Sequence, residues 1–343
     1  MTNIVNGFIL INKAKDISSA HVVAKMKYLF NAKKCGHTGT LDPSAEGLLP
    51  ICFGEATKFA SFLLEGKKEY IASIQLGITT DSYDLTGTII AKSIVNINLS
   101  DIKSTLDKFK GESKQLPPIY SALKHNGKPL YQYVRTNKNV SNNNPDLITQ
   151  TTLLKDDQAQ YESQTVLQNI AITEILQSKI RYVTIYELEL MSYCNNTNLL
   201  TLRVLCSKGT YIRSLAHDIG QELLCGATLS GLIRTKTNNF ILDDAYTIAN
   251  LECLPTIEAR RQLLNKADNL IVDIPVYHLT LTEFLKIKHG HSFTIMHNIV
   301  LKHLYEDDNI HKHYRLYFNE IFLGLGILKD DNTMHALRLL SNL

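Results

Sequence analysis

The sequence predicts an α+β fold, because period-two apolar runs, capped amphipathic helices and a final β-like stretch follow one another along the chain. Three observations carry that reading. Residues 69–77 place Tyr70, Ala72, Ile74 and Leu76 on one face, and residues 200–206 alternate in the same way, as half-buried strands do. After Ser207-Lys208-Gly209-Thr210, the residues Ile212, Leu215, Ala216, Ile219 and Leu223 recur at the helical period. From Asp273 onward, Tyr314–Phe318 and Ile321–Ile327 read as short strands separated by polar turns, which makes a small second β-rich domain.

In chain order, Gly7–Asn12 reads as a strand, and Ser18 or Ser19 caps a helix whose apolar face is Val22, Val23, Met26, Leu29 and Phe30. Ser100–Gly111 reads as a capped helix with Ile102, Leu106 and Phe109 on one side and Gly111 as its stop. A basic arm follows. Between Lys110 and Asp146 stand Lys110, Lys114, Lys124, Lys128, Arg135 and Lys138 against only Glu112 and Asp146, with Tyr120, Tyr131 and Tyr133 interleaved. Residues 136–169 then turn polar and Asn-rich without periodicity, as a mobile surface insertion would. Regular pattern resumes at Val183–Leu190.

With 343 residues, 44% of them hydrophobic and 20% charged, the chain is globular and long enough for two domains. Its first residues lack the basic start and apolar stretch of a signal peptide, and no segment approaches the roughly 18 apolar residues of a membrane span. A soluble, cytoplasmic protein is expected. The six cysteines form no CxxC pair, so neither a disulfide framework nor a cysteine zinc site is expected, and they read as reduced core thiols. A net charge of +3 is too small to identify a nucleic-acid partner, and the local clustering in the arm is the stronger signal. Seven histidines between His278 and His313 match no zinc spacing, so no metal is expected there.

The loop Gly36-His37-Thr38-Gly39-Thr40-Leu41-Asp42-Pro43-Ser44-Ala45-Glu46-Gly47 places one carboxylate among glycines that permit unusual backbone angles. Pro43 fixes its own φ and pushes Asp42 toward an extended conformation. An aspartate is ionised at neutral pH and needs no base to act as a nucleophile. Asp-Pro by itself also reads as a turn and nothing more. Arg213 falls in the first turn of its helix, where a cation opposes the helix dipole by about 0.3–1 kcal/mol, so a nearby anion is implied unless the arginine is simply exposed. Tyr70 offers a flat face and a weak acid, and equally reads as a strand-edge aromatic.

The run from Gly36 to Pro50 resembles the catalytic motif of the bacterial TruB-type tRNA pseudouridine-55 synthases, in which this aspartate is the nucleophile. Further resemblance runs in order through Gly7–Lys13, Gly54–Lys58, Gly66–Tyr70, Leu116–Lys124, Arg181 with Thr184–Leu188, and Gly209–Arg213, covering most of residues 7–240. It implies a catalytic set of Asp42, Tyr70 and Arg213, with the arginine paired to the aspartate and the tyrosine set against the target base. It also implies that His37 helps extrude the target nucleotide and that Lys13, Lys58, Tyr211, Lys124, Lys128, Arg135 and Arg181 serve RNA binding. The family usually has Pro after Lys13 and Gly two positions later, where Ala14 and Asp16 stand here, and Tyr182 replaces a usual proline.

What the resemblance implies as a whole is isomerisation of the uridine at position 55 in the T-arm of tRNA, by covalent catalysis without cofactor or metal. Attack at C1′ of the sugar or at C6 of the base both remain open. The expected architecture is a catalytic domain with a mixed, mainly antiparallel sheet over residues 1–270, its RNA-binding arm and insertion at about 110–180, and a PUA-like RNA-binding domain over 271–343. The partner would be tRNA alone, with a monomeric protein, no protein partner and no membrane.

Overall fold

The computed structural model describes residues 5–121, 175–295 and 312–341, together with the backbone of 124–125 and 128–129. The expectation of a mobile insertion at 136–169 therefore lies outside the described residues. The chain divides into two compact units, Met1–Gly66 with Lys236–Leu343, and Lys67–Thr235.

The first unit opens with strand β1 (Gly7–Lys13), helix α1 (Ser19–Leu29) and strand β2 (Glu46–Phe53). β1 and β2 pair antiparallel from Gly7 opposite Phe53 to Lys13 opposite Gly47, and the short strand Cys35–His37 also pairs with β2. Ser18 is the cap of α1, its side chain accepting from the His21 N–H, and Val22, Met26, Leu29 and Phe30 form the buried face. Ser18 thus leaves Ser19 free for a different task, described below.

The second unit holds strand β3 (Lys68–Leu76), helix α2 (Leu99–Lys108), strands β4 (Gly111–Gln115), β5 (Arg181–Cys194) and β6 (Leu199–Cys206), helix α3 (Ile212–Glu222) and strand β7 (Ala227–Thr237). The strand order is β7-β3-β6-β5-β4, with β3, β4, β5 and β6 pairing antiparallel. One face of this sheet buries Ala72, Ile74, Leu200, Leu202 and Val204 against Leu215, Ala216 and Ile219 of α3, each of the leucine, isoleucine and valine side chains contributing about 1.5–3 kcal/mol. α2 starts one residue earlier than its sequence pattern implied. Asn98 caps it and Asp101 completes a capping box, so Ser100 lies inside the first turn.

After Thr235 the chain returns to the first unit, where strands β8 (Val276–His278), β9 (Phe293–Thr294), β10 (His313–Phe318), β11 (Ile321–Leu328) and β12 (Thr333–Leu339) and helix α4 (Leu281–Lys288) form the expected β-rich PUA-like region. Its order is β8-β10-β11-β12-β9, with only the β8–β10 ladder parallel. Leu279, Ile287, Phe293, Leu316, Leu323 and Met334 make a small core of their own, while Phe322 and Leu325 join Phe8, Leu10, Leu48 and Cys52. The reading of all six cysteines as core thiols needs correction: Cys52, Cys206 and Cys225 are buried, but Cys194 sits exposed at the end of β5 and Cys253 exposed at a helix C-terminus. Among the described residues no helix is long and apolar enough to cross a membrane.

Candidate active site

In the first unit the Asp42 loop is held by its backbone. The Ser19 hydroxyl accepts from the Leu41 N–H and donates to the Leu41 carbonyl, both at 2.9 Å, so one buried side chain satisfies both main-chain groups of the residue before Asp42. On the other side the Pro43 carbonyl accepts from Lys13 Nζ at 3.2 Å and from the Asp16 N–H at 2.8 Å, and Ala45 N–H closes a turn on the Asp42 carbonyl at 3.1 Å. Lys13 is fully buried and also donates to the Ala14 and Ile17 carbonyls at 2.9 and 2.7 Å. A buried ammonium demands such acceptors, and three carbonyls supply them. The Asp42 side chain itself remains partly open to water. Such a fixed backbone is what a positioned nucleophile needs.

Gly39 and Gly47 take positive φ of 119° and 99°, as the sequence led us to expect, but Gly36 does not: it lies in the strand Cys35–His37 opposite Cys52. Asp16, standing where glycine is usual, adopts φ 66°, a left-handed conformation that aspartate tolerates better than most residues. His37 is half-buried at the end of its strand, opposite Ile51. Lys58 Nζ donates to Glu55 at 2.7 Å and to the Leu339 carbonyl at 2.8 Å, tying β12 to the turn after β2.

In the second unit the dipole argument for Arg213 finds its anion. Arg213, in the first turn of α3, is buried, and its Nη1 lies 3.6 Å from Asp84 Oδ2. Nη1 also donates to the Ser82 carbonyl at 3.3 Å and Nη2 to the Tyr120 carbonyl at 3.0 Å. Asp84 is itself anchored, its Oδ1 accepting from Ser82 Oγ at 2.8 Å and from the Thr86 N–H at 2.9 Å. The alternative of an exposed, tolerated arginine is thereby removed. Asp84 was missed in the sequence because Asp81-Ser82-Tyr83-Asp84-Leu85-Thr86-Gly87 reads as a turn. Two aspartates in one short turn were the available signal.

Arg181 lies 5.2 Å from the ring centroid of Tyr211 and reaches the Gly209 carbonyl at 3.5 Å, so Arg181, Tyr211 and Arg213 gather around one bend. Gly209 has φ 75°, a conformation that favours glycine, and the end of the Arg181 side chain lies close over it. Tyr70, in β3 opposite Val204, packs half-buried against the main core of this unit. Beside α3's first turns, Tyr83 stacks on His217 at 4.0 Å. Burial keeps the His217 ring below its ordinary pKa and pushes the Asp218 carboxyl up to about 6. The side chains of Lys124 and Lys128, and Arg135 altogether, lie outside the described residues, and no group of three or more His, Cys, Asp or Glu among the described residues is arranged to hold a metal ion.

Two family descriptions match the chain: "TruB family pseudouridylate synthase (N terminal domain)" over residues 27–169 and "tRNA pseudouridylate synthase B C-terminal domain" over residues 213–270. Curated proteins named "tRNA pseudouridine synthase B" are similar over about four fifths of the chain. That of Francisella tularensis subsp. tularensis (strain WY96-3418) is 46% identical over 277 residues, 80% of this chain and 79% of its own. That of Francisella philomiragia subsp. philomiragia is 44% identical over the same shares. Among solved structures, "Crystal Structure of a Cbf5-Nop10-Gar1 Complex" superposes with TM-score 0.62 at 20% identity, covering 96% of this chain and 80% of that one. "Structure of H/ACA RNP bound to a substrate RNA containing 2'-deoxyuridine" also reaches 0.62, at 19% identity over 98% and 84%. At that identity the solved structures bear on the fold alone.

Proposed function

From the premise that this chain belongs to the TruB family of pseudouridylate synthases, we propose that Asp42 is the nucleophile with which it isomerises the uridine at position 55 in the T-arm of tRNA. That the chain is an isomerase making pseudouridine in tRNA follows from its kinship with the curated synthases. The observation that supports Asp42 is the double backbone anchor, with Leu41 held by Ser19 and Pro43 by Lys13, around a side chain left accessible.

The chemistry balances without an external reagent. The carboxylate attacks either C1′ of the ribose or C6 of the uracil, the N1–C1′ bond breaks, the base turns, and C5 bonds to C1′ as the aspartate leaves. C5 loses a proton and N1 gains one, so product and substrate have the same composition. Arg213 is the orienting partner of Asp42, and Tyr70 stacks on the extruded base and assists proton transfer. His37 takes part in extruding that base, and Lys58, Arg181 and Tyr211 contact RNA together with Lys124, Lys128 and Arg135 of the arm. We assign residues 1–270 to catalysis and 271–343 to RNA binding by a PUA-like domain, a division supported by the separate small core around Leu316. A cytoplasmic monomer acting on bare tRNA without a protein partner completes the reading.

Asp42→Asn protein incubated with unmodified tRNA transcript tests it. Product formation should fall below about a hundredth of wild type, because the nucleophile is gone. tRNA affinity should stay within several-fold, because few phosphate contacts are touched. Residual turnover above that level removes Asp42 from the nucleophile role, and a wild-type protein that binds the transcript without converting it removes the reading on bare tRNA.

A further inference from the structure

We propose that Gln115 is a positioning residue for Arg213, setting the first turn of α3 through a two-point amide clamp. The inference rests on the reading of Arg213 as the partner that orients the nucleophile. Gln115 ends β4 and is almost fully buried. Its Nε2 donates to the Tyr211 carbonyl at 3.0 Å, and its Oε1 accepts from the Tyr211 N–H at 2.8 Å. The opposite orientation of the amide would face donor to donor and carbonyl to carbonyl, so the network permits only this one.

Tyr211 occupies the cap position of α3, yet its own side chain makes no capping bond. Its carbonyl takes the first helical bond, from the Leu215 N–H at 3.1 Å, and Gln115 supplies the partner that the Tyr211 N–H lacks locally. The clamp therefore decides where the helix begins, and Arg213 stands two residues further on. Neighbouring contacts repeat the pattern. Ser214 Oγ donates to the Leu116 carbonyl at 2.8 Å and Arg213 Nη2 to the Tyr120 carbonyl at 3.0 Å, so the stretch from Gln115 to Tyr120 is bonded in turn to residues 211, 213 and 214. No other uncharged side chain of that length carries a donor and an acceptor side by side, which is why glutamine fits this position.

Removing the clamp leaves the Tyr211 N–H without its partner and frees the first turn to shift. A misplacement of about 1 Å costs on the order of a hundredfold in rate. Gln115→Met, which keeps the volume and loses both bonds, should lower the single-turnover rate at saturating tRNA by roughly ten- to a hundredfold, with any rise in KM for tRNA, through the Tyr211 contact, smaller than that fall in rate.

Gln115→Glu gives the decisive signature. Ionised, its carboxylate turns an acceptor toward the Tyr211 carbonyl; protonated, its O–H donates to that carbonyl while its C=O accepts from the N–H, restoring the clamp. Burial beside a carbonyl raises the pKa of such a carboxyl. The rate of Gln115→Glu relative to wild type at the same pH should therefore rise several-fold from about pH 8 to about pH 5.5, while the Gln115→Met ratio stays flat. A flat Gln115→Glu ratio, or Gln115→Met within twofold of wild type, overturns the proposal, and the glutamate profile decides alone should the methionine variant not accumulate. Arg213→Lys assayed in parallel separates the two readings: if it is as fast as wild type, the role of Arg213 fails, and if it is slow while both Gln115 variants are normal, only the role of Gln115 fails.

Discussion

The Lys13 ammonium donates to the Pro43 carbonyl across 3.2 Å, so a fully buried charge holds the residue that follows the proposed nucleophile. Family resemblance points to Lys13 as an RNA contact, and its ammonium donates within the fold to the Ala14, Ile17 and Pro43 carbonyls.

Lys13→Met keeps the aliphatic stem and takes the ammonium donor from the Ala14 and Ile17 carbonyls, while the Pro43 carbonyl keeps the Asp16 N–H. Each acceptor left unsatisfied in a buried position costs about 1–3 kcal/mol, so a clear loss of stability in urea unfolding is expected, together with slower turnover as the Asp42 loop loosens. The dependence of tRNA affinity on salt should be unchanged, because a side chain closed to solvent neutralises no phosphate. A slope lower by about one unit would instead make Lys13 a phosphate contact.

Arg213→Lys is expected to lose far more activity than stability. Lysine keeps a positive charge beside Asp84 but cannot reach Ser82, Tyr120 and a carboxylate at once with a planar fork. A drop of at least a hundredfold in single-turnover rate, with a melting temperature within a few degrees of wild type, is the expected pattern. Asp84→Asn should behave differently, because it takes one buried carboxylate charge away from the Arg213 guanidinium and so costs stability as well, up to about 3 kcal/mol. Melting curves of the two variants side by side check this, and equal stability losses would show that Asp84 does not carry the pairing.

The parts of this molecule legible in its sequence are those governed by short-range periodicity. The faces of α1 and α3 and the alternation of β3 and β6 are each set by residues a few positions apart, and they stand where the pattern put them. The dipole mismatch at Arg213 also announced a nearby anion. What escaped were contacts between distant residues: Ser19 clipping Leu41, Asp84 beneath Arg213, and Gln115 on Tyr211. Each is a polar side chain meeting main chain or charge far along the sequence, and neither composition nor period encodes such a partner. Asp16 shows the same limit from the other side, since its left-handed backbone is a conformation the sequence alone does not announce at an aspartate.

Asp218 makes a pH-dependent contribution to stability. Burial lifts its carboxyl from the ordinary 3.8 to about 6, so the folded protein holds this proton more tightly than the unfolded chain does. Stability from this group is therefore fully present below about pH 3.8 and is lost as pH rises through about 6. Its neighbour His217, held below its ordinary value by burial, works in the opposite sense and loses stability as pH falls. Comparing Asp218→Asn with wild type cancels the histidine. The variant should melt about 1–3 °C higher near pH 7.5, a figure already reduced for the carboxyl's partial exposure, and the gain should vanish near pH 4. A gain of the same size at both pH values would mean that the substitution acts through packing and not through charge.

Phosphate contacts by the basic arm make a prediction that its sequence alone supports. Lys124, Lys128 and Arg135 stand in a segment with few acidic residues and interleaved tyrosines, the pattern of a surface that follows a phosphate backbone. Each contact releases condensed counterions, so neutralising all three should weaken tRNA binding and flatten its log–log salt dependence by at most about three units. Turnover at saturating RNA should hardly change, because the nucleophile and its anchors at Ser19 and Lys13 lie elsewhere in the chain. Deleting residues 139–168 should leave folding and activity intact, since a polar, aperiodic stretch has little to bury. Binding and slope that stay at wild-type values in the triple variant would place the RNA contact outside the arm, and loss of soluble protein on the deletion would show that the insertion packs against the fold.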